Sequence, residues 1–233
     1  MKTIAIHQSQ YIPWSPYLKK MAQADIFVVM DNVQYHKNGV QNRNQIRNKQ
    51  GAFWLTIPVT GNLTDLIIKK KLANDIWKKK HWKSIKLSYA KAPFWSLYSY
   101  DLSLLYDNIY DTLGEVNKAF LNFLITKLEI ETNIYWLSDF SISGRKNELI
   151  LNICKEFDAE TYLSGAGANK YLDEKRFEKA GIKIEYINSV PITYKQYHHD
   201  FINSLSIIDV MFNLEVSKIQ EYLYKKKNPS NGN

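Results

Sequence analysis

Cysteine is almost absent from this chain: Cys154 is the only one in 233 residues. A lone thiol closes no internal disulfide, which excludes a disulfide-stapled secreted scaffold. Its spacing from Ile150, Ile153 and Phe157 predicts a buried thiol on a helix. Long apolar runs are missing too. The longest, Ile26 to Met30, falls far short of the roughly 20 residues that cross a bilayer. Met1 to Ile6 has neither the n-region nor the h-region of a secretory signal, so a cytoplasmic chain without a membrane span is expected. Proline and glycine are sparse, at 6 and 9 residues. With no Pro/Gly/Ser-rich linker and no fixed-period repeat, residues 1–224 read as a single α/β domain, and 225–233 as a basic, disordered tail.

What is present is 45% hydrophobic and 14% aromatic, enough for a full core. Acidic residues number 23 against 31 Lys and Arg, a formal charge of +8, and the excess is local. Eight lysines (Lys69, Lys70, Lys71, Lys78, Lys79, Lys80, Lys83 and Lys86) stand against one acid, Asp75, and Lys225 to Lys227 add a second block. Trp77, His81 and Ile85 recur at four-residue spacing, which predicts an amphipathic helix with its lysines around the solvent side. Such a helix is either a plain solvated face or a collar for a polyanion or phosphorylated substrate.

Lys2 to His7 reads as a buried strand feeding a Pro/Trp-rich turn, Tyr17 to Ala24 as a helix, and Ile26 to Met30 as a second strand. This unit is most economically a right-handed βαβ crossover, which puts His7 and Asp31 at the carboxyl edge where open α/β sheets bind ligands. Gln34 to Gln50 is polar and amide-rich and reads as a functional loop, and Phe53 to Val59 as a strand. Residues from about 74 to 130 carry helical periodicity broken at Pro93 and Gly114, a helical insertion against the sheet. A strand at Ile134 to Leu137, a helix from about Asn147 to Phe157 opened by Ser143 as N-cap, and a strand at Thr161 to Leu163 form a second such unit. A short helix over Asp173 to Ala180, a strand at Ile182 to Ile187 and a last helix from near Ser206 follow. The expected fold is α/β: an open, mostly parallel sheet with flanking helices and a helical insertion.

Candidate chemistry gathers on the first turn, His7-Gln8-Ser9-Gln10-Tyr11-Ile12-Pro13-Trp14, which holds more hydrogen-bonding and aromatic groups than a structural turn needs. Asp31, Gln34 and Tyr35 follow, then Asn42, Arg43 and Asn44, where Arg43 can fork onto a phosphate or carboxylate. Ser143-Gly144-Arg145-Lys146 would aim backbone amides and two cations at an anion. Ser164-Gly165-Ala166-Gly167-Ala168 lets backbone approach a ligand but lacks the dinucleotide fingerprint. His198-His199-Asp200 does not complete a metal set, so no metal is expected, and Ser206 with Asp209 has the spacing of a capping arrangement.

The segment IHQSQYIPWSPYLKKMAQADIFVVMDNVQYHKNGVQNRNQI resembles the opening of the WbqC-like family of bacterial lipopolysaccharide and O-antigen loci. The likeness continues at Lys80-His81-Trp82, Tyr89 to Phe94, Tyr162 to Gly165, Tyr171-Leu172 and Leu205 to Asp209; Ser9 and Pro16 depart from the family's usual Pro and Gly. A weaker echo of nucleotidyltransferases fails at their His-x-Gly-His loop, here His7-Gln8-Ser9-Gln10.

The resemblance implies surface-polysaccharide biosynthesis. Within such a pathway the expected activity is a transferase or ligase modifying a nucleotide-activated sugar, an amino sugar among the candidates, or another phosphorylated small molecule; the polar turn, Arg43 and the helix start at Ser143 to Lys146 are what the residues themselves add. His7 is cast as general base or orienting donor, with Asp31 as its partner. Arg43 is the anion clamp, Trp14 and Tyr35 are ring-packing walls, and Gln8, Gln10, Tyr11, Gln34, Asn42, Asn44, Arg145, Ser164 and Gly165 are further substrate contacts. No cofactor is named by any motif, and an oligomer is compatible with the sequence. The alternative is a non-catalytic binder of nucleic acid or another polyanion through Lys69 to Lys86, less favoured because it leaves the polar turn idle.

Overall fold

The computed structural model describes residues 1–167, 172–188, 190–198 and 200–225. Tyr171, His199, Ala168 and the tail beyond Lys225 lie outside them. In chain order the elements are β1 (Thr3–Gln8), α1 (Ser15–Ala22), β2 (Ile26–Met30), β3 (Arg43–Asn48), β4 (Gly51–Thr56), β5 (Val59–Thr60) and β6 (Lys71–Leu72). Three long helices follow, α2 (Ile76–Tyr89), α3 (Trp95–Asp107) and α4 (Leu113–Leu128). The second half holds β7 (Asn133–Trp136), α5 (Asn147–Glu156), β8 (Thr161–Gly165), α6 (Glu174–Lys179), β9 (Lys183–Ile187), α7 (Ile207–Asn213) and α8 (Val216–Tyr224).

Five strands form one sheet in the order β7-β2-β1-β8-β9, every neighbouring pair parallel. Side chains alternate between its two faces, as strand periodicity requires. Ile4, Ile6, Ile26 and Val28 pack on one face with Ile153 and Cys154 of α5 and Phe177 of α6. Ala5, Phe27 and Val29 pack on the other with Tyr17 and Met21 of α1, Phe120 and Leu124 of α4, and Leu223 of α8. Cys154 is the buried helical thiol expected, and burial pushes its pKa up to about 12.

The strand order reverses between β1 and β8: β1 turns outward to β2 and β7 on one side, β8 to β9 on the other. Open α/β sheets bind ligands just beyond the carboxyl ends of the strands at such a reversal. His7 and Gln8 end β1, and Ser164 and Gly165 end β8.

Three local readings are corrected. The polar stretch that reads as a loop holds β3, the antiparallel hairpin partner of β4 across a turn at Lys49 and Gln50. Gly114 does not break a helix: α4 starts at Leu113, with a reciprocal cap between Thr112 and Glu115 in front of it. The N-cap of α5 is Lys146 rather than Ser143, and no side chain closes it. Gly144, at φ 130°, lets the chain turn there, since a Cβ would come within 2.9 Å of the Leu149 amide nitrogen.

Candidate functional site

A cleft of 1330 Å³ opens at the strand reversal. Its lining includes His7 and Gln8 from β1, Trp14 and Lys20 from the turn and α1, Gln34 and His36 after β2, Arg145 and Lys146 ahead of α5, and Ser164, Gly165 and Gly167 at the end of β8. Of the residues singled out in the sequence, His7, Gln8, Trp14, Gln34, Arg145, Ser164 and Gly165 therefore share one cavity.

His7 Nδ1 lies 3.2 Å from the Gln8 carbonyl oxygen and 3.5 Å from Gln10 Nε2. The nearer partner can only accept, which assigns the ring proton to Nδ1 and leaves the Nε2 lone pair for a ligand. Tyr17 packs against the ring edge-on at 4.8 Å. Burial, and then the nearby Lys20 charge, lower the imidazole pKa to about 3, against the smaller opposing effect of the Gln8 carbonyl. His7 is neutral at physiological pH, and a conjugate acid this strong suits an orienting hydrogen-bond acceptor better than a general base.

Lys20 is the residue that sequence reading passed over. It is 6% exposed, and its Nζ donates to the Ile6 carbonyl oxygen at 2.7 Å. Burial lowers its pKa to about 7, where a lysine exchanges protons near neutrality. The available signal was positional: Lys20 lies three residues after Tyr17 and four after Pro16, on the buried side of the first helix.

Anion-receptive groups face the same space. Arg145 and Lys146 are exposed at the start of α5, whose first turn carries no side-chain cap. Also in the lining, Ser164 is 1% exposed and its Oγ has no hydrogen-bond partner among the described residues. A buried hydroxyl without a partner costs about 1–3 kcal/mol, which a ligand oxygen would recover.

The remaining predicted residues lie outside the cleft's lining. Asp31 leaves the same sheet edge as His7, because Val29 and Met30 register with His7 and Gln8. Its carboxylate, however, accepts hydrogen bonds from the Ser138 amide at 2.9 Å and the Ser138 hydroxyl at 2.7 Å. Tyr11 sits in the core, its hydroxyl 3.0 Å from His81 Nδ1 and 2.7 Å from the Tyr106 hydroxyl. Asn42 and Asn44 donate to the Ile57 and Ile12 carbonyl oxygens, both at 2.8 Å. Gln10 backs His7 from outside the cavity lining. Tyr35 lies under the Lys70 ammonium, and Arg43 stacks over Trp54 at 4.3 Å and donates to the Asn38 carbonyl oxygen. Two bonds hold the cleft wall: Gln41 Nε2 donates to Gln8 Oε1 at 2.9 Å, and Gln34 Nε2 to the Leu63 carbonyl oxygen at 3.1 Å.

Among the described residues no group of three or more His, Cys, Asp or Glu side chains is arranged to hold a metal ion. No helix among them is long and apolar enough to cross a membrane. Ser206 caps α7 through the Ile208 amide, while Asp209 accepts hydrogen bonds from the Tyr89 and Tyr194 hydroxyls instead of closing a capping box.

The sequence profile of the WbqC-like protein family matches residues 8–221, and the chain belongs to that family. It is also similar to the uncharacterised protein Rv1507c of Mycobacterium tuberculosis, 32% identical over 218 residues, which cover 92% of this chain and 94% of that protein. No solved structure matches the chain at a significant level.

Proposed function

We propose that the cleft binds a nucleotide-activated sugar and that the protein is a transferase or ligase modifying it, an amino sugar destined for surface polysaccharide. One observation carries this reading. At a strand reversal of a parallel sheet, a single cavity collects a buried lysine, two cations at an uncapped helix start and a buried, unpartnered serine hydroxyl. That set suits phosphate oxygens, while Trp14 and the amides of Gln8 and Gln34 offer a ring surface and hydroxyl partners. The polysaccharide pathway rests on the resemblance of the N-terminal segment to WbqC-like proteins.

In this reading Arg145, Lys146 and Ser164 hold phosphate, and neutral His7 orients the acceptor through Nε2. When a sugar amine or hydroxyl attacks the donor, the new bond forms as the donor's leaving group departs with its electron pair. The proton lost from the attacking atom leaves with the donor's departing group, and Lys20, protonated once phosphate binds beside it, joins Arg145 and Lys146 on the phosphate oxygens. Asp31 fixes the loop at the end of β2 through Ser138 and takes no proton.

The test is a thermal-shift screen with nucleotides, nucleotide sugars and acyl donors. A ligand at a hundred times its Kd adds about 2.7 kcal/mol, a rise on the order of 5 to 10 °C for a chain of this size. Arg145→Ala should reduce the rise without changing the unliganded Tm, and Ser164→Ala should reduce it while raising the unliganded Tm, because the unpaired hydroxyl is gone. A panel in which no nucleotide or nucleotide sugar raises the Tm contradicts the proposal.

A further inference from the structure

The α2–α3 hairpin presents a surface that the cleft does not use. Its helices are joined by residues 90–94 and pack through Trp82, which stacks on Trp95 at 5.5 Å and on Tyr106 at 6.1 Å. The outer face of α2 carries Lys79, Lys80, Lys83 and Lys86, all exposed, between Ile76 and Leu87. The outer face of α3 carries Leu97, Tyr100 and Leu104, at the i, i+3, i+7 spacing of one helical stripe. Ordinary surface helices place polar residues there; here Leu87 is 77% exposed, Tyr100 71%, Leu97 57% and Leu104 49%. Of the hairpin's acids, Asp75 and Asp101 pair with Lys78 and Lys127, and Asp107 stands exposed at the end of the α3 stripe; Lys78 is itself buried, donating to the Asn108 carbonyl oxygen at 2.9 Å.

We infer that this hairpin docks the protein on an anionic lipid surface, its lysines on the headgroups and its aliphatic stripe in the interfacial layer. Exposed lysines beside exposed leucines are what such a surface selects. A second copy of the chain is a poor occupant, because two lysine-rich faces repel. Single-stranded nucleic acid would engage the lysines but give Leu87, Leu97 and Leu104 nothing to stack upon. Docking here is independent of what the cleft binds.

The test is co-sedimentation of the full chain with vesicles of phosphatidylcholine alone and of phosphatidylcholine mixed with phosphatidylglycerol. Binding should require the anionic lipid and weaken as salt rises. Each lysine near an anionic surface contributes about fivefold to partitioning, so Lys79→Gln, Lys83→Gln and Lys86→Gln together should lose on the order of a hundredfold. Leu97→Ser, Tyr100→Ser and Leu104→Ser together should also lower binding while keeping the charge. All six positions are exposed, and unchanged melting with an unchanged ligand shift in the cleft will show that the fold and the cleft are intact. Failure to sediment with anionic vesicles overturns the inference. So does retention of full vesicle binding by the leucine and tyrosine variant, or lysine-dependent binding of a single-stranded oligonucleotide or an acidic protein in place of vesicles.

Discussion

Replacing Lys20 with Met should stabilise the protein, against the usual outcome for a buried residue that makes a 2.7 Å hydrogen bond. The ammonium has a pKa near its ordinary 10.5 in the unfolded chain and about 7 in the folded one. Below about pH 7 both states hold the proton, and the folded state bears the whole cost of a buried charge. As pH rises through 7 the folded protein releases the proton first; the cost shrinks and vanishes near the unfolded value. A gap of about 3.5 units at about 1.4 kcal/mol each sets an upper bound near 5 kcal/mol. Losing the bond to the Ile6 carbonyl oxygen subtracts about 1 kcal/mol. Lys20→Met should therefore gain about 2 to 4 kcal/mol at about pH 6 and lose that gain by about pH 10. Urea unfolding followed by circular dichroism at the two pH values measures the difference. Equal destabilisation of the variant at both would refute the reasoning, since it would mean that Lys20 is stabilised as a cation.

His7 shows the same linkage in a lower window: its folded pKa, about 3, lies below its unfolded value of 6.5, so its contribution to stability falls as pH drops between the two. His7→Phe should flatten that part of the urea-midpoint profile while abolishing turnover of the identified substrate. Asp31→Asn should cost about 2 to 3 kcal/mol of stability through its two bonds to Ser138, with residual activity in proportion to the folded fraction, as a denaturation curve paired with an activity assay will report. Tyr11→Phe should cost about 1 to 3 kcal/mol by stripping partners from His81 and Tyr106 in the core, and ligand affinity measured by calorimetry should stay unchanged.

The sheet was legible where apolar periodicity is strong. Ile26 to Met30 has the same boundaries in sequence and structure, and β1 and α5 differ by a residue or so. β3 was hidden because Arg43-Asn44-Gln45-Ile46-Arg47-Asn48 holds a single apolar side chain. The strand exists through pairing with β4 and through polar side chains that bond to backbone, as Asn44 does to Ile12. That chemistry also explains the mixed reading of the site. Gln10, Tyr11, Asn42 and Asn44 looked like substrate contacts because they are polar and cluster near His7, yet three of them satisfy buried protein partners and Gln10 stands behind the imidazole. A sequence shows that such groups are numerous but not which way they face. His7, Ser164 and Arg145 came together because topology alone brings strand ends and helix starts to one edge. Lys20 was missed for the opposite reason: a lysine beside Lys19 on a short helix reads as surface until the burial of its neighbours is seen.

Isothermal titration calorimetry with the nucleotide sugar from the thermal-shift screen, run near pH 8 in two buffers of different ionisation enthalpy, tests the central claim most directly. Phosphate bound beside Lys20 raises the lysine pKa, so the wild type should take up as much as about one proton per ligand. Lys20→Met should bind more weakly and take up none. Binding that leaves the proton balance unchanged in the wild type, or is undiminished in Lys20→Met and Arg145→Ala, would place the ligand somewhere other than this cleft.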